Sequence, residues 1–394
     1  MTELAVAGVG TVPVTRDLPG SLLDTCADVA RAALDDAAVP ASEVDGLFVT
    51  PAAMSGEGWM MFAATLGEFL GMPTRSLATY ENGGISSLIA LRAACDAVAL
   101  GRVDVAVVLA TDTRPTLDVT RFESFIRSAA FRSASLYGPF VGALGVGTPI
   151  PVYAMSHQRY MHEFGLEERD LAEVSVALRR HAAEHPLAQF REPVTVDDVL
   201  ASKMLSPPIH LLQAAGLSSG VCATVVTRAE VAADTGRPVV ALAGYGEHHH
   251  PSHFVPRRGS LTRFESVERA GAQALEQAGR TIEDVDVAEV YGVFAATELI
   301  LYEDLGFCEK GQGHRFLTEG RATVGGDALI NPTGGRICFG HPAGATPLYE
   351  VAEIVRQLRG EAPGIQAPDP ELGLVHAEHG MMNGSIVLAL ERRS

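Results

Sequence analysis

The strongest constraint on the fold of this chain is an internal repeat. The stretch ALDDAAVPASEVDGLFV, Ala33 to Val49, matches ALEQAGRTIEDVDVAEV, Ala274 to Val290, without a gap. The offset is constant at 241 residues, from Leu34 to Leu275 and from Asp45 to Asp286. Each copy reads as a helix, a short loop, Val-Asp and a strand. A second pair follows: the apolar helical pattern of Gly84 to Leu100 has a counterpart at Ala345 to Leu358, and each is followed by a Gly and later by a strand. A repeat of this length implies two similar α/β halves, here 1–235 and 236–394. Strands alternating with helices imply mostly parallel sheets buried under helices.

Between Thr116 and about Pro207 the texture changes. Charges, His and aromatics rise and β-branched runs disappear, with helical patterns at Pro151 to Phe164, Glu167 to Glu184 and VTVDDVLAS. This is a mostly helical insertion, about 116–207, in the first half. Core strands resume at Gly220 to Thr227 and Pro238 to Gly244.

Composition narrows the function classes. With 394 residues, 47% apolar and 20% charged, the chain has a sizeable core. A formal net charge of −18 argues against a general nucleic-acid or anionic-membrane binder, which needs basic surface. The five cysteines form no CxxC pair, so reduced thiols in a cytoplasmic protein are expected, and neither a disulfide frame nor a metal site. The run His248-His249-His250 with His253 reads as a loop near a site mouth, because a run does not guarantee convergent ligand geometry. The N-terminus lacks a secretory pattern, and no apolar run reaches membrane-spanning length.

The stretch GGDALINPTGGRICFGHPAGATP, Gly325 to Pro347, is expected to be a shaped loop, since helices and strands rarely tolerate that density of Gly and Pro. It empties into a helical pattern from Gly344. Such a loop either brings backbone N–H groups close to a ligand or serves as a buried crossover.

These features together resemble the thiolase superfamily, with nearest likeness to its sterol-carrier (lipid-transfer) branch. The resemblance rests on the two α/β halves, Asn331-Pro332-Thr333-Gly334-Gly335, Gly340-His341-Pro342 with Gly344-Ala345, and RRHAAEHPLAQFREPVTVDDVLAS, Arg179 to Ser202. It implies a layered α/β/α/β/α core. Three departures qualify it. Where a thiolase carries its nucleophilic Cys, this chain has Gly84, within Asn82-Gly83-Gly84-Ile85-Ser86-Ser87. Where thiolases read Asn-Glu-Ala-Phe, and the sterol-carrier branch His-Asp-Cys-Phe, this chain reads Tyr291-Gly292-Val293-Phe294. Its last glycine turn, His376 to Gly384, has no Cys.

Without a thiolate no ordinary acyl-enzyme forms. What the resemblance then implies is a thioester-enolate site, with His341 donating to the thioester oxygen and Tyr291 taking or relaying a hydroxyl proton. Gly84, Ser86, Lys203 and Gly344 are the expected contacts to the coenzyme A part of the substrate, with no permanently bound cofactor. Arg179 and Arg180 are further candidates for its phosphates. The chain resembles the Cys-less thiolase-like aldolases that shorten steroid side chains, which implies a homodimer and a small OB-fold partner protein. An acyltransferase using a non-Cys nucleophile such as Ser86 or Ser87, and a non-catalytic acyl-CoA or lipid-binding subunit, are the alternatives.

Overall fold

A computed structural model describes residues 3–52, 61–114, 149–251, 259–380 and 382–393. The first half begins β1 (Leu4–Thr11), α1 (Leu22–Asp36), β2 (Gly46–Thr50), α2 (Phe62–Leu70), β3 (Ser76–Thr79), α3 (Ser86–Ala99), β4 (Ala106–Asp112). It continues with α4 (Ile150–Phe164), α5 (Glu168–Glu184), α6 (Val196–Ala201) and the hairpin of β5 (Met204–Ser206) and β6 (Ile209–His210). It closes on β7 (Gly220–Arg228) and α7 (Ala229–Ala233). The second half contains β8 (Val239–His249), α8 (Glu265–Ala278), β9 (Val287–Val290), α9 (Ala295–Asp304), α10 (Gly313–Thr318) and β10 (Leu329–Ile330). After these come α11 (Gly335–Phe339), α12 (Thr346–Arg359), β11 (Leu372–Glu378) and β12 (Gly384–Arg393).

The strands join in the order β10-β9-β11-β12-β8-β1-β7-β4-β2-β3. Read outward from the junction of β8 and β1, the two halves have the same order and the same mix of parallel and antiparallel pairs. The junction is narrow, pairing Ala5 with Ala241. Helix α12 packs on strands of both halves and against α3, while α1 covers the outer face of the first half and α8 that of the second. The result is the layered α/β/α/β/α core, with α3 and α12 as its middle layer. Phe48 of β2 faces that middle layer, and its neighbours Leu47 and Val49 face the outer one, as the twofold period of a strand requires.

Each outer helix lies very close to its sheet, and glycine is the reason. A Cβ on Gly8 or Gly10 of β1 would stand 2.2 Å from the carbonyl oxygens of Ala33 and Val29. On Gly244 and Gly246 of β8 it would stand 2.0 and 1.9 Å from those of Ala274 and Ala270. The two helix positions in each pair are again 241 residues apart, so both halves use one device to seat their helices.

The structure departs from the sequence reading in three places. The Gly325–Pro347 stretch contains a one-turn helix, α11, entered through the left-handed Gly334 and Gly335 (φ 92° and 59°). The last helix starts at Thr346, after a 3₁₀ turn at Ala343–Ala345. The strand assigned to Pro238–Gly244 runs on to His249, because β12 pairs with it as far as Gly384↔His249, so His248 and His249 lie on a strand and not in a loop. His253, and residues 116–148 of the expected insertion, lie outside the described residues; from 149 onward that segment is built around α4, α5 and α6. Among the described residues no helix is long and apolar enough to cross a membrane.

Candidate functional site

Four segments meet where the parallel strands of the two halves end. The Tyr80–Ile85 turn follows β3 and leads into α3. The 291–294 loop follows β9, the Gly340–Ala345 turn leads into α12, and His379 follows β11. The carboxyl ends of parallel strands are the usual ligand-binding edge of such sheets, and the N-termini of α3 and α12 add their positive dipole ends there. A Cβ on Gly344 would lie 3.8 Å from the Gly83 carbonyl and 3.7 Å from Cβ of Ser86, so the two turns are in van der Waals reach.

Tyr291 and His341 come together here. The phenol oxygen is 3.4 Å from His341 Nε2, and the rings sit edge to face with centroids 5.4 Å apart. His341 Nδ1 is 3.0 Å from the hydroxyl of Thr346, the first residue of α12. Its backbone is pinned to the 216–218 segment: the His341 N–H donates to the Gly216 carbonyl, and its carbonyl accepts from the Ser218 N–H. Leu217, which bridges to His341, is exposed and presents apolar surface beside it.

Both side chains are electrically neutral at rest. Burial, with help from the Glu350 and Glu378 carboxylates, raises the Tyr291 phenol well above its ordinary value. Loss of hydration, and then the Arg336 guanidinium, lowers His341 to about 3. The imidazole therefore has a free lone pair or a neutral N–H to offer, and ionising either group needs a counter-charge arriving with a substrate.

Position 84 has no room for a side chain. A Cβ at this position would stand 2.6 Å from the Tyr291 hydroxyl oxygen and 2.2 Å from the Glu378 carbonyl oxygen. The phenol occupies the volume into which a side chain at 84 would project. The departures at 84 and 291 are one steric event, and the β11 carbonyl closes the same space from the other side. Nor is a thiolate on hand elsewhere: burial pushes Cys26, Cys95, Cys308 and Cys338 up to about 12, and Cys222 higher still.

The remaining sequence candidates divide. Ser86 is at the site, but its hydroxyl donates to the Gly83 carbonyl (2.6 Å) and accepts from the Asn82 N–H (2.7 Å), closing the turn before α3. Ser87 is fully buried on α3, and its hydroxyl has no hydrogen-bond partner among the described residues. Gly344 lies at the site, its N–H 3.4 Å from a carboxylate oxygen of buried Asp112. Lys203 is exposed beside the β5–β6 hairpin, and among the described residues no hydrogen bond or ion pair joins its ammonium group to this cluster. Arg179 is buried, donating to the Glu192 carbonyl and stacking on Phe190, so it braces the insertion and is not open to a phosphate. Among the described residues no group of three or more His, Cys, Asp or Glu is placed to hold a metal ion.

Several supports escaped the sequence reading. Glu378 accepts from the Tyr153 hydroxyl at 2.7 Å, and Tyr153 packs on Phe294 (centroids 4.8 Å). His157, held neutral at about 4 by burial, accepts from the Ala296 N–H at 3.0 Å. Helix α4 is thereby bonded to the start of α9 and packs on Phe294 of the loop that carries Tyr291. Beneath the site, fully buried Arg336 pairs with Glu289 (3.1 Å) and Glu350 (3.2 Å). In the sequence these are isolated polar residues in apolar segments; the one legible signal was their charge inside helices and strands that must be buried.

The comparisons with known proteins place the chain in a family. Residues 246–392 match the family described as Thiolase C-terminal domain-like. The chain is 32% identical to the benzoylsuccinyl-CoA thiolase subunit BbsB of Thauera aromatica, over 96% of this chain and 95% of that one. It is 31% identical to the 17-hydroxy-3-oxo-4-pregnene-20-carboxyl-CoA lyase of Mycobacterium tuberculosis, over 98% of this chain and 99% of that one. Among solved structures, the Ltp2-ChsH2(DUF35) aldolase superposes with a TM-score of 0.83 at 28% identity, covering 99% of this chain and 98% of that one. The fold defines a thiolase-type enzyme scaffold. The chain belongs to the thiolase superfamily.

Proposed function

We propose that this protein is a carbon–carbon lyase, a retro-aldolase that cleaves a β-hydroxyacyl-CoA thioester to a ketone or aldehyde and a shorter acyl-CoA. The observation that carries the reading is the Tyr291 phenol standing where a side chain at Gly84 would project, beside a neutral imidazole and, among the described residues, with no activated nucleophile in reach. Relatives named as a lyase and an aldolase support it.

The chemistry balances without covalent catalysis. The substrate β-hydroxyl gives its proton to the Tyr291 oxygen as the phenol passes its own proton to His341 Nε2. The Cα–Cβ bond breaks, its electron pair moving to the thioester as an enolate while the carbinol carbon becomes a carbonyl. The imidazolium then faces an enolate, a counter-charge that offsets the burial penalty on both. It returns the proton to Cα, releasing the shorter acyl-CoA. The N–H groups at the starts of α3 and α12 add fixed positive potential near the developing oxyanion.

The acyl group of this reading is bulky and steroid-like, matched to the apolar surface at Leu217 and to the lyase relative's name. Coenzyme A enters as part of the substrate, over Gly84, Ser86 and Gly344. A thiolase-type homodimer, a small OB-fold partner chain and a cytoplasmic setting complete the proposal; a solved neighbour whose name joins two components supports the partner.

The test is product analysis by mass spectrometry. 3-Hydroxyacyl-CoAs with tertiary β-carbons are offered beside 3-ketoacyl-CoA plus free CoA. A ketone and a shorter acyl-CoA, with no mass added to the protein, is the expected result; thiolysis through an acyl adduct refutes it. Tyr291→Phe abolishes cleavage while fold and CoA-ester binding persist, and His341→Ala lowers turnover on the order of a hundredfold.

A further inference from the structure

Gly292 follows the catalytic tyrosine, and the space where its side chain would lie is already filled. A Cβ at 292 would stand 1.7 Å from Oε2 of Glu298, a fully buried carboxyl on the first turns of α9. Its other oxygen, Oε1, accepts from the Tyr302 hydroxyl (2.8 Å) and from the side-chain amide of Asn331 (2.5 Å). That amide grips the end of β9 from both sides: Asn331 Oδ1 accepts from the Val290 N–H (2.8 Å), and Nδ2 reaches the Val290 carbonyl (3.3 Å). Asn331 is itself held in the left-handed region at φ 51°, a costly conformation that needs such bonds to persist. The residue after Val290 is Tyr291.

We propose that Glu298 is a positioning residue for Tyr291, reaching from α9 into the gap left by Gly292 and acting through Asn331 on the end of β9. The proposal rests on the cleavage reading above, in which the phenol must stay within reach of His341. Oε2 has no hydrogen-bond partner among the described residues. With both acceptor bonds on Oε1, a proton on Oε2 leaves the clamp intact, whereas a second negative charge burdens a site already rich in carboxylates. The groups facing Glu298 are Glu289 on β9, Arg336 and Cys338 on α11, Glu350 on α12, Tyr302 on its own helix, and His157 of α4 at the helix start. Burial raises Glu298 to about 8, so the neutral acid is the resting form at pH 7.

The test compares Glu298→Gln, Glu298→Ala and Gly292→Ala in the full chain, with Tyr291→Phe beside them. Glutamine keeps the acceptor oxygen and stays neutral. Its kcat should fall within about threefold of the parent at pH 7, and it should lose the parent's decline in kcat above about pH 8. Alanine at 298, and alanine at 292 through displacement of the carboxyl, should lower kcat at least tenfold with KM within about threefold. Should either alanine variant fail to fold, the pH profile of Glu298→Gln decides. Parental kcat in Glu298→Ala, or an unchanged alkaline decline in Glu298→Gln, overturns the proposal. An active Tyr291→Phe variant would instead sink the cleavage mechanism, so the two failures are distinguishable.

Discussion

The clearest consequence of the site geometry concerns Gly84→Ala. The added Cβ would be 2.2 Å from the Glu378 carbonyl oxygen, 2.6 Å from the Tyr291 hydroxyl oxygen and 3.0 Å from its ring carbon Cζ. A carbon normally approaches oxygen no closer than about 3.3 Å. The phenol must therefore withdraw by roughly 0.7 Å, and β11 or the Asn82–Gly84 turn by about 1 Å. Neither move is cheap, because Tyr291 is buried and the Gly84 N–H is bonded to the His379 carbonyl at 3.2 Å. Overpacking of this kind costs about 1–3 kcal/mol of stability. A displacement approaching 1 Å at a reacting group costs about a hundredfold in rate. Two companion variants calibrate the result. Gly344→Ala meets Thr50 Cγ2 at 3.1 Å, with its other neighbours at 3.7 Å or beyond, and should lose less, while Gly20→Ala, with nothing within 4 Å, should match the parent. The assay is steady-state cleavage with thermal unfolding measured on the same preparations. If Gly84→Ala turns over within about threefold of the parent at an unshifted melting temperature, the phenol is not held against position 84 and the steric reasoning fails.

Other outcomes follow from the buried charges. Arg336→Met strands the Glu289 and Glu350 carboxylates in the core and should cost about 3–5 kcal/mol by chemical denaturation; a loss under about 1 kcal/mol would mean that both acids are already protonated. Iodoacetamide should leave cleavage intact, since every thiol is held protonated by burial; inactivation that substrate prevents would point to an overlooked thiolate. The Glu298 carboxyl binds its proton more tightly in the folded chain (about 8) than when unfolded (about 4.5). The folded state thus keeps a proton that the unfolded state has released, and stability falls as pH rises through that window. Glu298→Gln should gain on the parent between pH 5 and about 8 and gain no further above it; a difference independent of pH would count against the assignment.

How much of this the sequence carried depends on the range of each interaction. The repeat was legible because helix, loop and strand are local patterns, and β2 and β9 fall where the 241-residue offset puts them. Tyr291 and His341 were legible as departures and retentions within short motifs, one residue at a time. What no local pattern encodes is which of them touch. Gly84 and Tyr291 stand more than two hundred residues apart, and their mutual exclusion exists only because α3 and β9 deliver their ends to the same point. The space at Gly292 is likewise filled, by the carboxyl of Glu298 on the next helix. In both cases the glycine looks like an absence in the sequence and is a filled position in the fold. A Gly at a site normally occupied by a functional side chain therefore poses a definite question, namely which distant group has moved into the space. Here the answers are the Tyr291 phenol at Gly84 and the Glu298 carboxyl at Gly292.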